Sequence, residues 1–95
     1  MCSESEVIRR KLELINLRGL HARASAKFVE IVESHEADAT VSFGGSVVSG
    51  ESIMGLLTLA APKGSVISLE TSGPRALDLA DALEELVANR FNEAY

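Results

Sequence analysis

The apolar residues of this chain change period along its length, and the order of those changes constrains the fold more than any other feature. Alternation with a period of two marks a half-buried strand, while spacings of three and four mark one face of a helix. Leu12 and Leu14 share one parity with Lys11 and Glu13 opposite, which puts a first strand within Val7 to Ile15. From about Ala22 to Ser34 the period lengthens. Ala22, Ala26 (or Ser25), Val29 and Val32 mark a buried stripe there, and Lys27, Glu30 and Glu33 a wet one. Asp38 to Phe43 alternates again, with Val41 and Phe43 on one side and Thr40 and Ser42 on the other. Gly44-Gly45 then leads into Ser46 to Ser49, and two glycines between such runs predict a tight β-hairpin.

The second half repeats the switch. Ser52 suits the N-cap of a short helix from Ile53 to Ala60 or Ala61, stopped by Pro62 and Gly64. Ile53, Leu56, Leu57 and Ala60 form its expected core stripe, which leaves Met54 outside it. Ser65 to Thr71 reads as a fourth strand, with Ile67 and Leu69 on one face. Pro74 is placed at the first position of the last helix, whose apolar stripe is Ala76, Leu79, Ala80, Leu83, Leu86 and Val87. Residues 1–6 and 90–95 are expected to fray. The order β-α-β-β-α-β-α predicts one α+β domain over residues 1–95. Its form is a two-layer open-faced sandwich: a four-stranded, mostly antiparallel sheet covered on one face by three helices.

Composition narrows the function classes. Aromatics are 4% of the residues and Trp is absent, so the core must be Leu, Val, Ile and Ala, which suits thin layers better than a deep ligand cavity. The net charge of -5 argues against a nucleic-acid footprint, which needs clustered Lys and Arg. No polybasic anchor is present, and no apolar run approaches the roughly 20 residues of a membrane span. Met1 to Glu6 is polar and acidic, unlike a signal peptide, so a cytoplasmic monomer is expected. Cys2 has no partner for a disulfide. His21 and His35 stand at opposite ends of one predicted helix, about 20 Å apart, so no metal site is expected, and no cofactor.

Chemistry concentrates at Gly19-Leu20-His21-Ala22-Arg23. Gly19 permits a sharp turn that presents an imidazole at the mouth of the first helix. The free amides of a helix N-terminus and the Arg23 guanidinium both suit a phosphoryl group, and the positive helix end favours neutral, nucleophilic imidazole. His35 has no such setting and reads as a solvated cap at the helix C-terminus. The second stretch is Ser52-Ile53-Met54-Gly55-Leu56-Leu57, a capping serine followed by apolar residues on two sides of a short helix. Two-sided apolarity fits either a partner patch or simple double burial.

Together these two segments resemble the histidine-containing phosphocarrier protein (HPr) family of the bacterial phosphoenolpyruvate-dependent phosphotransferase system. The resemblance covers roughly Leu12 to Val87. It implies a phosphoryl-transfer protein rather than a free-standing turnover enzyme. His21 matches the residue phosphorylated on Nδ1 by enzyme I and relieved of its phosphoryl group by a IIA protein or domain. The resemblance places Arg23 beside it, with the amides of Ala22, Arg23 and Ala24 around the phosphoryl oxygens. Ser52 matches the regulatory serine modified by HPr kinase/phosphorylase. Leu20, Ile53, Met54 and Leu57 fall where the family docks on its partners. Ala24 replaces a common proline, Ala60 a frequent glycine, and Glu30 and Glu33 stand where lysine is frequent. Those departures keep an alternative open: a nitrogen- or stress-branch regulatory binding module that signals mainly through its phosphorylation state.

Overall fold

The computed structural model describes residues 6–93. Its strands are β1 (Glu6–Glu13), β2 (Asp38–Phe43), β3 (Ser46–Ser49) and β4 (Val66–Gly73). The helices are α1 (Ala22–Glu33), α2 (Ile53–Leu59) and α3 (Ala76–Ala88), followed by a 3-10 turn over Arg90–Asn92. The strand order is β1-β4-β2-β3, and every neighbouring pair is antiparallel. The hairpin forms as the two glycines require. Phe43 faces Ser46 across it, and Gly44 and Gly45 have φ of 60° and 85°.

Parity decides which face is dry. Leu12 and Leu14, Ala39 and Val41, and Ile67 and Leu69 all point to the helices and are buried. Arg9, Lys11, Thr40 and Glu70 point the other way and are exposed, and Arg9 pairs across the strands with Glu70 at 3.5 Å. The α3 stripe Ala76, Leu79, Ala80, Leu83, Leu86 and Val87 is buried as the periodicity requires. Thr71, buried at the end of β4, donates its hydroxyl to Ala76 O at 2.8 Å and so fixes the start of that helix.

Several expectations need correction. Pro74 is not the first helical residue: β4 stays paired as far as Gly73, and α3 begins two residues after Pro74, with Arg75 as N-cap. On α1 the core residues are Ala24, Ser25, Phe28, Val29 and Val32, and Ala22 is exposed because the capping turn leaves it at the rim. On α2 the buried pair is Leu56 and Leu59, not the stripe begun at Ile53. Ala60 ends that helix in the left-handed region, with φ of 52°, which points it to solvent.

The largest correction concerns the tail. Residues 90–93, expected to fray, are docked, and Glu6, also expected to fray, pairs with Gly73 in β1, whereas the fraying expected of residues 1–5, 94 and 95 lies outside the described residues. Phe91 is fully buried and joins the core, and Lys27 on α1 donates to Phe91 O at 2.6 Å. Arg90, Phe91 and Asn92 have φ of 56°, 55° and 63°. Each non-glycine residue in that region costs about 1–2 kcal/mol. Burial of the ring and the contacts flanking it must therefore outweigh a strained backbone.

Candidate functional site

Three segments that are distant in sequence meet at the N-terminus of α1. The first is the turn over residues 16–20. Buried Asn16 donates from Nδ2 to Gly19 O at 2.8 Å, and its own carbonyl accepts from Gly19 N at 3.2 Å. Gly19 has φ of 61°, and a Cβ there would run into the carbonyl of Ala61 and lie 2.9 Å from Pro62 Cα. Leu20 N donates to that same Ala61 carbonyl at 3.0 Å. The turn is thus strapped to the exit of α2, and glycine is the residue that lets the two backbones approach.

The strap fixes His21 as the N-cap of α1, in extended conformation. His21 O accepts the first helical bond, from Ser25 N at 2.8 Å. The amide of Arg23 donates to His21 Nδ1 at 3.2 Å. An N–H can only donate, so Nδ1 carries a lone pair and the imidazole proton resides on Nε2. The nitrogen facing the helix amides is therefore the nucleophilic one.

The third segment is the tail, which the sequence reading did not connect to this site. Glu93 Oε1 accepts from His21 Nε2 at 3.1 Å, and Oε2 accepts from the Arg23 guanidinium at 3.3 Å. The donated hydrogen bond from His21 holds the Glu93 carboxyl below its ordinary value of 4.5, against the opposing effect of desolvation; Arg23 and Lys27 push in the same direction as His21. The sequence signal that was passed over is Phe91, which marks the tail as docked but does not by itself place Glu93. In a chain with four aromatic residues, one placed after a helix is more economically read as an anchor than as solvent-exposed fray.

The remaining predicted residues distribute unevenly. Arg23 is open to solvent along 67% of its side chain, with its guanidinium paired to Glu93. The amides of Ala22 and Ala24 make no hydrogen bond among the described residues. Ala22 is exposed, whereas Ala24 is fully buried, so an anion reaches its amide only by displacing what covers it. Leu20, expected on the docking surface, is instead a core residue at 3% exposure, because the bond to Ala61 turns it inward. Leu17 in the same turn is the exposed apolar residue, at 61%.

Ser52 is the N-cap of α2, and its Oγ accepts from Gly55 N at 2.9 Å. Ile53 and Met54 are exposed behind it, Met54 at 70%, and Leu57 is half-buried. The helices carrying His21 and Ser52 pack against one another. His35 closes the far end of α1, its Nδ1 donating to Ile31 O at 2.9 Å. Among the described residues there is no cluster of His, Cys, Asp and Glu suited to a metal ion, and no helix is long and apolar enough to cross a membrane.

Comparison with known proteins gives a uniform result. The family described as "PTS HPr component phosphorylation site" matches residues 8–89. The phosphocarrier protein HPr of Cupriavidus necator is 44% identical over 87 residues, covering 92% of this chain and 98% of that protein. HPr from Neisseria meningitidis serogroup A is 42% identical over the same coverage. Among solved structures, HPr-C-His from Thermoanaerobacter tengcongensis superposes with a TM-score of 0.88 at 30% identity, covering 93% of this chain and 99% of that one.

Proposed function

The chain belongs to the HPr family, the phosphocarriers of the phosphotransferase system, and on that premise we propose that His21 Nδ1 is the atom that carries the phosphoryl group. One observation carries the reading. The capping bond from the Arg23 amide leaves Nδ1 unprotonated, at the mouth of a helix where an anion is favoured. Neutral His21 attacks the phosphoryl group of its donor in line. As the group arrives, the Arg23 amide exchanges Nδ1 for a phosphoryl oxygen, the Ala22 amide takes another, and the exposed guanidinium leaves Glu93 for a third.

Enzyme I is the donor in this reading, and a IIA protein or domain the acceptor. Exposed Ile53 and Met54, with half-buried Leu57, form the apolar part of the docking surface; Leu20 does not belong to it. The charge of -5 leaves little electrostatic attraction to an acidic partner, which puts more weight on those apolar contacts. Ser52 acts as a regulatory site. A phosphate there replaces the hydroxyl that now caps α2, is tolerated by that helix end, and sets negative charge beside Ile53 and Met54.

The test is labelling with phosphoenolpyruvate and a cognate enzyme I. The expected product is an acid-labile, base-stable phosphoprotein, with no label on His21→Ala. Equal labelling of that variant and the parent would remove His21 from the reaction.

A further inference from the structure

We infer that Glu93 is a positioning residue for phosphoryl transfer: through Nε2 it holds His21 in the tautomer that leaves Nδ1 free to accept the group. The inference rests on His21 being the phosphoryl carrier. The geometry comes from a segment that no strand or helix of the sandwich contains. Phe91, fully buried, pins the tail under α1, and Lys27 grips Phe91 O at 2.6 Å. Two residues further on, the carboxylate of Glu93 bridges Nε2 and the Arg23 guanidinium, at 3.1 and 3.3 Å. The Glu93 side chain is 15% exposed, so water competes little for the bond.

Among the described residues, the cations that act on the Glu93 carboxylate besides His21 are Arg23 and Lys27, both on α1. Glu93 is thus the acceptor for Nε2–H and the counter-charge to two cations. A carboxylate on one ring nitrogen and a backbone N–H on the other select a single neutral tautomer from opposite sides.

The chemistry needs that tautomer in both directions. In the loading step the Nδ1 lone pair forms the new N–P bond while the donor's P–N bond breaks, and that electron pair returns to the donor nitrogen. The ring becomes a phosphoimidazolium that retains Nε2–H against Glu93. In the unloading step the acceptor nitrogen attacks phosphorus, the Nδ1–P bond breaks, and its pair returns to Nδ1. The leaving group is then neutral imidazole, again with its proton on Nε2. No proton enters or leaves the carrier in either step. A ring without Nε2–H would have to depart as an imidazolate anion, and a ring protonated on Nδ1 would have no lone pair to attack with.

Glu93 also parks Arg23. The guanidinium leaves one anion, the carboxylate, for another, the incoming phosphoryl group, while the bond to Nε2 stays in place.

The experiment compares the parent with Glu93→Ala and Glu93→Gln, using 15N NMR of the imidazole ring and the initial rate of labelling by enzyme I. In Glu93→Ala the ring nitrogens should lose the distinct shifts of a single tautomer. Labelling should slow about tenfold, the scale of one lost charge-assisted hydrogen bond. Glu93→Gln keeps an acceptor for Nε2–H and should retain most of the tautomer preference and of the rate. Parent-like 15N shifts and rate in Glu93→Ala would overturn the inference, as would a Glu93→Gln ring no more ordered than that of Glu93→Ala. A parent protein that takes no label sinks the carrier assignment instead, and the 15N spectra still decide the tautomer.

Discussion

Phe91→Ala should detach the whole tail rather than leave a hole beneath it. Truncating a buried phenylalanine costs about 3–5 kcal/mol where the surrounding structure stays in place. This ring sits in a segment whose backbone is strained at Arg90, Phe91 and Asn92. Release of three left-handed residues returns about 1 kcal/mol each at the low end of the scale. A variant that keeps the strain but loses the anchor therefore has a cheaper route, which is to let go. Set against the upper end of the truncation cost, that release leaves a net loss of about 2 kcal/mol, or about 10 °C in Tm for a domain of this size. Urea unfolding and calorimetry measure the loss. Hydrogen exchange locates it: the amides of Asn92 and Glu93, which donate to Asn89 O and Arg90 O at 2.9 and 3.0 Å, should lose their protection while β4 keeps its own. Leu77→Ala, at a site 47% exposed, is the control and should change stability by no more than about 0.5 kcal/mol. If Phe91→Ala also lies within that range and both tail amides stay protected, the anchoring role is refuted.

Gly19→Ala combines a left-handed φ with a collision against the Ala61 backbone, and should cost more than about 2 kcal/mol by urea unfolding; a loss under about 0.5 kcal/mol would mean the strap to α2 is slack. The depressed Glu93 value has a definite sign: its contribution to stability is fully present above 4.5, the ordinary carboxylate value, and is lost as pH falls through the lower folded value. The stability gap between parent and Glu93→Gln should thus be flat above that pH and close below it, and a gap that widens on acidification would contradict the hydrogen-bonded carboxylate. Met54→Lys, on a residue 70% exposed, should leave stability within about 0.5 kcal/mol but raise the KM for the carrier in labelling by enzyme I; an unchanged KM removes Met54 from the docking surface. Ser52→Asp should slow labelling of His21, whereas an unchanged rate would separate that serine from the switch.

The sandwich was legible wherever a local rule acts on a local pattern. Gly44-Gly45 between alternating runs gave the hairpin, and the spacing from Ala76 to Val87 gave the buried face of α3 without error. The rule failed in part on α2, where seven residues are too few to fix a phase: Leu56 is buried as expected, but Leu59 joins it in place of Ile53 and Ala60. At the site, His21 and Arg23 could be read because a glycine turn before a helix has a chemical meaning of its own. Leu20 could not be placed, since its direction depends on Ala61, forty-one residues away. Glu93 was illegible for a related reason. Nothing periodic marks a segment held by one aromatic ring and one lysine, and left-handed backbone outside glycine has no sequence signature.

The strand order carries a consequence for how such a chain comes into being. β1 and β2 run parallel to one another but do not touch, because β4 lies between them and pairs with both. The middle of the sheet is thus the last strand to be synthesised. Until residues 66–73 have left the ribosome, the first half of the protein is two separated ribbons with no shared ladder. His21, translated early, waits longer still: its partner on Nε2 is residue 93, made after every strand and every helix. The molecule thus acquires its sheet late in synthesis, and the carboxylate partner of its histidine later still.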